Sequence, residues 1–202
     1  MTPNEMQKQI IDLIHERRIV EHLLENGESA PSKTCCPEPL LRLIHGLPGS
    51  GKTQVLRWLQ SYFEEVWSWT LGLEFVFTAP LNSMASNIGG STIHSWGQIG
   101  FKDRRGTLIN CQQKSNEEVP SMATQCEVVR FLFIDEIEAA GAETLGSLEN
   151  NLMSRVSLRS QWRYKADGKT VRPFAGVNVP VVQSWLLERK CLCPNWFVND
   201  SI

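Results

Sequence analysis

The chain has 202 residues, 42% of them hydrophobic and 21% charged, with a formal charge of −2. That composition excludes a disordered chain and leaves room for one α/β domain with a sizeable core. The charge excludes a global pull toward nucleic acid, so any such contact must come from a local patch. No apolar run approaches the roughly 20 residues of a membrane span, and Glu5, Lys8, Asp12 and Glu16 make the N-terminus unlike a secretory or transit signal.

Thr2-Pro3-Asn4-Glu5 reads as a capping box with Pro at the first helical position, predicting a helix from there. Met6, Ile10, Leu13, Ile14, Val20, Leu23 and Leu24 supply its apolar face, and Asn26-Gly27 its stop. Residues 28–39 read as a surface linker. Leu40 to His45 predicts a strand, and Gly46-Leu47-Pro48-Gly49-Ser50-Gly51-Lys52-Thr53 a glycine-rich turn. The following helix carries Val55, Leu56, Leu59, Tyr62, Phe63 and Val66 at helical spacing and ends near Trp69. Phe75 to Thr78 is a second strand, Leu81 to Ile88 one or two helical turns broken by Gly89-Gly90, and Lys102 to Thr124 an insertion loop. Val128 to Ile134 is a near-continuous apolar run, as a buried parallel strand requires, and ends in Asp135-Glu136. Leu145, Leu148, Leu152 and Val156 mark a helix from about Ala142 to Leu158, and Val177 to Val182 a further strand. Strands alternating with helices give a mainly parallel sheet with helices on both faces. The expected division is an N-terminal helix and linker at 1–39, a motor core at 40–182 and a divergent tail at 183–202.

Cys35, Cys36, Cys111, Cys126, Cys191 and Cys193 form no C-x-x-C pair, and His15, His22, His45 and His94 have no zinc-finger spacing. Free thiols in a reducing, intracellular compartment follow; zinc at Cys191 and Cys193 is the weaker alternative.

The strand–turn–helix context gives the G-x-x-x-x-G-K-[ST] pattern its meaning. Gly46, Pro48, Gly49, Ser50 and Gly51 let backbone N–H groups close on a polyphosphate at a helix N-terminus. Lys52 pairs with the β- and γ-phosphates, and the Thr53 hydroxyl sits on Mg²⁺. A glycine-rich turn that merely carries a lysine is the alternative. Ligands of such sheets bind at the carboxyl ends of strands, where Asp135-Glu136 also lies. Asp135 is then the second Mg²⁺ residue, and Glu136 the base for an attacking water. The adjacent carboxylates favour an ATP-hydrolysing motor over a kinase or GTPase.

Taken together, the phosphate loop, Phe77-Thr78-Ala79-Pro80, Ile88-Gly89-Gly90-Ser91-Thr92-Ile93-His94-Ser95 and Phe133-Ile134-Asp135-Glu136 resemble superfamily 1 DNA helicases, and among them the petite-integration-frequency family of 5′-to-3′ helicases. The resemblance spans about Leu40 to Val182. It implies a RecA-like P-loop core using ATP and Mg²⁺, single-stranded DNA as partner, no membrane, and roles in DNA repair, recombination or telomere maintenance. It further implies that Thr78, Ala79 and Pro80 meet the single-strand backbone, that Thr92, Ile93 and His94 form a second contact, and that Gln7 reads adenine. An exposed helix glutamine is an equal reading of Gln7. Trp96 reads as core ahead of base stacking. The basic stretch Arg155, Arg159, Arg163, Lys165, Lys169 and Arg172 reads equally as phosphate contact or solvated surface.

Leu81-Asn82-Ser83 stands where the family continues Thr-Gly-Lys. After Val182 the family's Gly-Asp and Gln-Leu-Pro-Pro give way to Gln183-Ser184-Trp185, and a second motor core with its arginine finger is absent. The expectation is therefore a truncated helicase with a foreign tail, binding ATP but unable to unwind alone. A non-catalytic nucleotide- and DNA-binding module, or a clamp-loader-like or transposition ATPase, are the alternatives; the Thr92-to-Ser95 block argues against the last.

Overall fold

The computed structural model describes residues 2–28, 38–102, 108–109, 128–156, 160–184 and 198–201. Helix α1 (Glu5–Glu25) leads to β1 (Leu41–Gly46), α2 (Lys52–Trp67), β2 (Phe75–Ala79), α3 (Asn82–Asn87), β3 (Ser91–Thr92) and α4 (Ile93–Gly97). A two-residue antiparallel pair follows, β4 (Phe101–Lys102) with β5 (Leu108–Ile109). Then come β6 (Phe131–Ile134), a 3₁₀ turn (Ile137–Ala139), α5 (Ala142–Arg155), a second such turn (Pro173–Gly176), β7 (Val179–Ser184) and β8 (Val198–Ser201). All six cysteines, Arg159 and most of the expected insertion loop lie outside the described residues.

The main sheet has the order β3-β2-β6-β7-β1-β8, and every pairing in it is parallel. Its strands alternate between two cores, as a period of two demands. Phe75, Phe77, Phe131, Phe133, Ile44 and Val182 face α1 and α2. Val76, Leu132, Ile134, Leu41, Leu43, Val179 and Val181 face α4 and α5. Phe63 of α2, fully buried, is ringed by Tyr62, Trp69, Phe75, Phe131 and Phe133. Among the described residues no helix is long and apolar enough to cross a membrane.

Several local expectations shift. The cap of α1 is Asn4, not Thr2: Asn4 Oδ1 accepts from Gln7 N–H and Gln7 Oε1 from Asn4 N–H, so Pro3 precedes the cap. The buried face of α1 is mostly polar, with Gln7, Arg17, Arg18 and Glu21 joining Ile10 and Ile14, while Met6 is exposed. Strand β7 runs past 182 to Ser184, pairing His45 with Gln183, and β8 adds residues of the expected tail to the free edge of β1. Pro180 lies within β7. Lacking an N–H, it interrupts the ladder to β6, which is reduced to Ile134 against Val181 and a bridge between Phe131 and Asn178.

Candidate nucleotide site and single-strand interface

The phosphate loop joins β1 to α2. Gly49 and Gly51 take left-handed φ of +80° and +87°, a region open to glycine without steric cost. Lys52 is buried at the start of α2, and its Nζ donates to the carbonyls of Gly46 and Leu47, both at 3.0 Å. The Ser50 Oγ is buried with no hydrogen-bond partner among the described residues. A buried orphan hydroxyl, a loop ammonium and a helix N-terminus form a donor set that fits a polyphosphate.

Asp135 follows β6 at the same edge of the sheet, with only β7 between β6 and β1. It is buried, its N–H donates to the Thr78 carbonyl (2.8 Å), and its Oδ1 accepts from Glu136 N–H (3.0 Å). Burial, and then the Glu136 charge, push its pKa up to about 6, against the pull of the Glu136 N–H and of Lys52. A buried carboxylate near the loop lysine is a hard oxygen ligand short of countercharge, so Asp135 fits a divalent cation; Thr53 follows Lys52 in the first turn of α2. Glu136 is half-buried and left-handed, at φ +51° and ψ +46°. Non-glycine residues seldom adopt that region; Ser68 and Gln98 do so at helix ends and Phe174 and Ala175 in a buried turn, so the conformation by itself marks no site.

The two segments expected to meet a single strand lie side by side. Thr78 pairs with Ser91 and Ala79 with Thr92 across β2 and β3. Side-chain access is narrower than the motifs imply. Thr78, Ala79 and Ile93 are fully buried, and the Thr78 hydroxyl donates to Phe133 O (3.1 Å). Thr92 caps α4 through Oγ1, which accepts from Ser95 N–H. Pro80, Thr92 and His94 are the members left partly exposed, and burial lowers the His94 pKa. Trp96 is buried in the core.

The basic stretch is not one surface. Arg163 is buried and donates to the carbonyls of Val156 (2.7 Å) and Met153 (2.6 Å), closing the C-terminus of α5. Arg172 is buried and donates to Trp162 O (3.1 Å). Lys165 and Lys169 remain exposed. Gln7 is buried, not exposed, and sits against the phosphate loop, its Nε2 donating to Ser50 O (3.0 Å).

Sequence reasoning missed a buried polar cluster that carries α1. Glu21 Oε1 accepts from Arg17 (2.9 Å), Arg130 (2.7 Å) and Asn178 (2.8 Å), and Arg130 lies 4.4 Å over the Trp162 ring. Asn178 Oδ1 also accepts from Leu40 N–H (2.8 Å). These residues tie α1 to the amino ends of β1, β6 and β7, at the edge opposite the phosphate loop. The only sequence signal was negative: charged residues at the core-facing positions of a weakly amphipathic helix.

No protein-family model matches the chain, and no curated protein does. Solved structures do. Unliganded Pif1 from Bacteroides is 21% identical with a TM-score of 0.56, and Bacteroides Pif1 in complex with ADP-AlF3 and ssDNA is 22% identical with a TM-score of 0.55. Pif1 helicase from Candida albicans is 18% identical with a TM-score of 0.53. Each match covers 91% of this chain and 32% of the other, so the chain spans about a third of their length. At such identities the likeness concerns fold. The chain has the RecA-like α/β fold of a helicase core, shared with Pif1 helicases of Bacteroides and Candida.

Proposed function

We propose that the chain is the nucleotide-binding motor core of a superfamily 1 ATP-dependent DNA helicase of the petite-integration-frequency kind. One observation carries this reading: the phosphate loop and the Asp135-Glu136 pair meet at one edge of a parallel sheet, with a single strand between them. In this reading Ser50, Gly51 and Lys52 bind the phosphates, Lys52 leaving its two loop carbonyls to do so. Thr53 and Asp135 hold Mg²⁺, which when bound neutralises charge on the phosphate oxygens. Glu136 orients a water and accepts its proton. Pro80, Thr92 and His94 offer the single-strand contact. Thr78 and Ala79 join the two sites, since the Thr78 carbonyl accepts from Asp135 N–H and Ala79 pairs with Thr92 of the second strand-contact segment. An arginine from a second core is worth ~10³–10⁵ in turnover, so the 202 residues alone are expected to bind ATP, hydrolyse it slowly and leave duplex DNA intact.

Nucleotide binding and turnover, with and without single-stranded DNA, test this. Binding lost in Lys52→Ala and DNA-stimulated turnover lost in Glu136→Gln are expected. Binding without any stimulated turnover would favour a non-catalytic module, and robust unwinding by this chain alone would overturn the division of labour.

A further inference from the structure

Gln7 touches the phosphate loop without belonging to it. Its Oε1 is committed to the cap, accepting from Asn4 N–H at 2.9 Å, so only the NH₂ end of the amide can face the loop. That end donates to the Ser50 carbonyl at 3.0 Å. The approach is close: a Cβ at Gly51 would overlap Gln7 Nε2. A trans peptide sets its C=O and N–H in opposite directions. Holding the Ser50 carbonyl toward α1 therefore fixes where the Gly51 N–H points, and that N–H is one of the donors the loop offers a phosphate.

Helix α1 makes this hold stiff. Ile10 and Ile14 are packed in the core with Val55 and Leu59 of α2. Glu21, roughly 21 Å along the helix from Gln7, is locked by Arg130 and Asn178 at the far edge of the sheet, with Arg17 of the same helix bonded beside it. The helix is a strut anchored at one edge that presents a single oriented amide at the other.

We infer that Gln7 is a positioning residue of the phosphate loop, orienting the Ser50–Gly51 peptide and so setting the affinity for the polyphosphate itself, whatever base is attached. This rests on the nucleotide-binding reading above.

Inorganic tripolyphosphate, which has no base, is the deciding probe, measured with ATP by calorimetry on the full chain. Gln7→Met keeps the length of the side chain and removes both of its hydrogen bonds. Asn4→Ala weakens the same helix cap without touching the loop. The expected result is that Gln7→Met weakens tripolyphosphate and ATP by one common factor, about three- to tenfold, the loss of one hydrogen bond. Asn4→Ala should leave both affinities unchanged while lowering Tm by about 2–4 °C. Wild-type affinity for tripolyphosphate in Gln7→Met overturns the inference, whether or not ATP binding falls. An equal loss in Asn4→Ala also overturns it, because the helix end and not the amide would then be responsible. A wild-type chain that binds neither probe removes the nucleotide reading and this inference with it.

Discussion

Glu136 combines a chemical assignment with a conformational cost. A non-glycine residue in the left-handed region is disfavoured by about 1–2 kcal/mol, and Glu136 is held there while its N–H donates to Asp135. Glu136→Gly is therefore expected to stabilise the chain by up to about 1 kcal/mol in chemical denaturation while abolishing hydrolysis. Destabilisation would show that the backbone there is not strained. Glu21 is the opposite case, a carboxylate whose surroundings favour its charge. Burial pushes its pKa up, but the charge and hydrogen bonds of Arg130, then Arg17 and Asn178, outweigh this and leave it below 4.5. Such a group binds its proton more readily when unfolded. Its contribution is thus present above about pH 4.5 and lost as pH falls through the lowered folded value. The acid limb of a Tm–pH profile should flatten in Glu21→Gln. Arg130→Met, which leaves that carboxylate buried beside a weaker set of partners, should cost about 3–5 kcal/mol.

Among the elements, α1 and the turn before β7 decide the most. Phe174, Ala175 and Gly176 are successive left-handed residues at φ +48°, +53° and +84°, all buried. A Cβ at Gly176 would overlap the Trp162 carbonyl, which also accepts from Arg172. Gly176→Ala therefore meets both a backbone clash and a conformational penalty. A loss of about 2–5 kcal/mol is expected, and a Tm within a degree of wild type would refute it. The turn delivers Asn178 to Glu21 and lets β7 start beside β1 and β6. The same short stretch thus supports both the strut and the strand between the two halves of the proposed nucleotide site.

For the molecule as a whole, the sheet gathers separate segments along one edge. The Thr78 carbonyl accepts from Asp135 N–H, and Ala79 pairs with Thr92, so a strand bound at Pro80, Thr92 and His94 would bear on the carboxylate proposed to hold the cation. Single-stranded DNA is expected to tighten ATP binding by about fivefold or more, and ATP to tighten DNA binding by the same factor, as linkage requires. Independent binding of the two, read by titrating each in the presence of the other, would show that the shared edge transmits nothing.

Features encoded over a few neighbouring residues were legible in the chain before folding was considered. Gly49 and Gly51 punctuate a strand-to-helix turn, and the apolar run ending in Asp135-Glu136 reads as a buried strand because both its faces are covered. Its resemblance to a helicase core agrees with the fold found. Features that depend on partners far along the chain emerged only on folding. Glu21 and Arg130 are 109 residues apart, so charges that look solvated on a helix face prove to be a buried anchor. Arg163 and Arg172, read as a basic surface, are spent on backbone carbonyls, and Thr78, Ala79 and Ile93 turn into the core. Only folding brings Gln7 to Ser50, because a side chain's burial and hydrogen-bond partner are properties of its neighbours in space, which local periodicity does not encode.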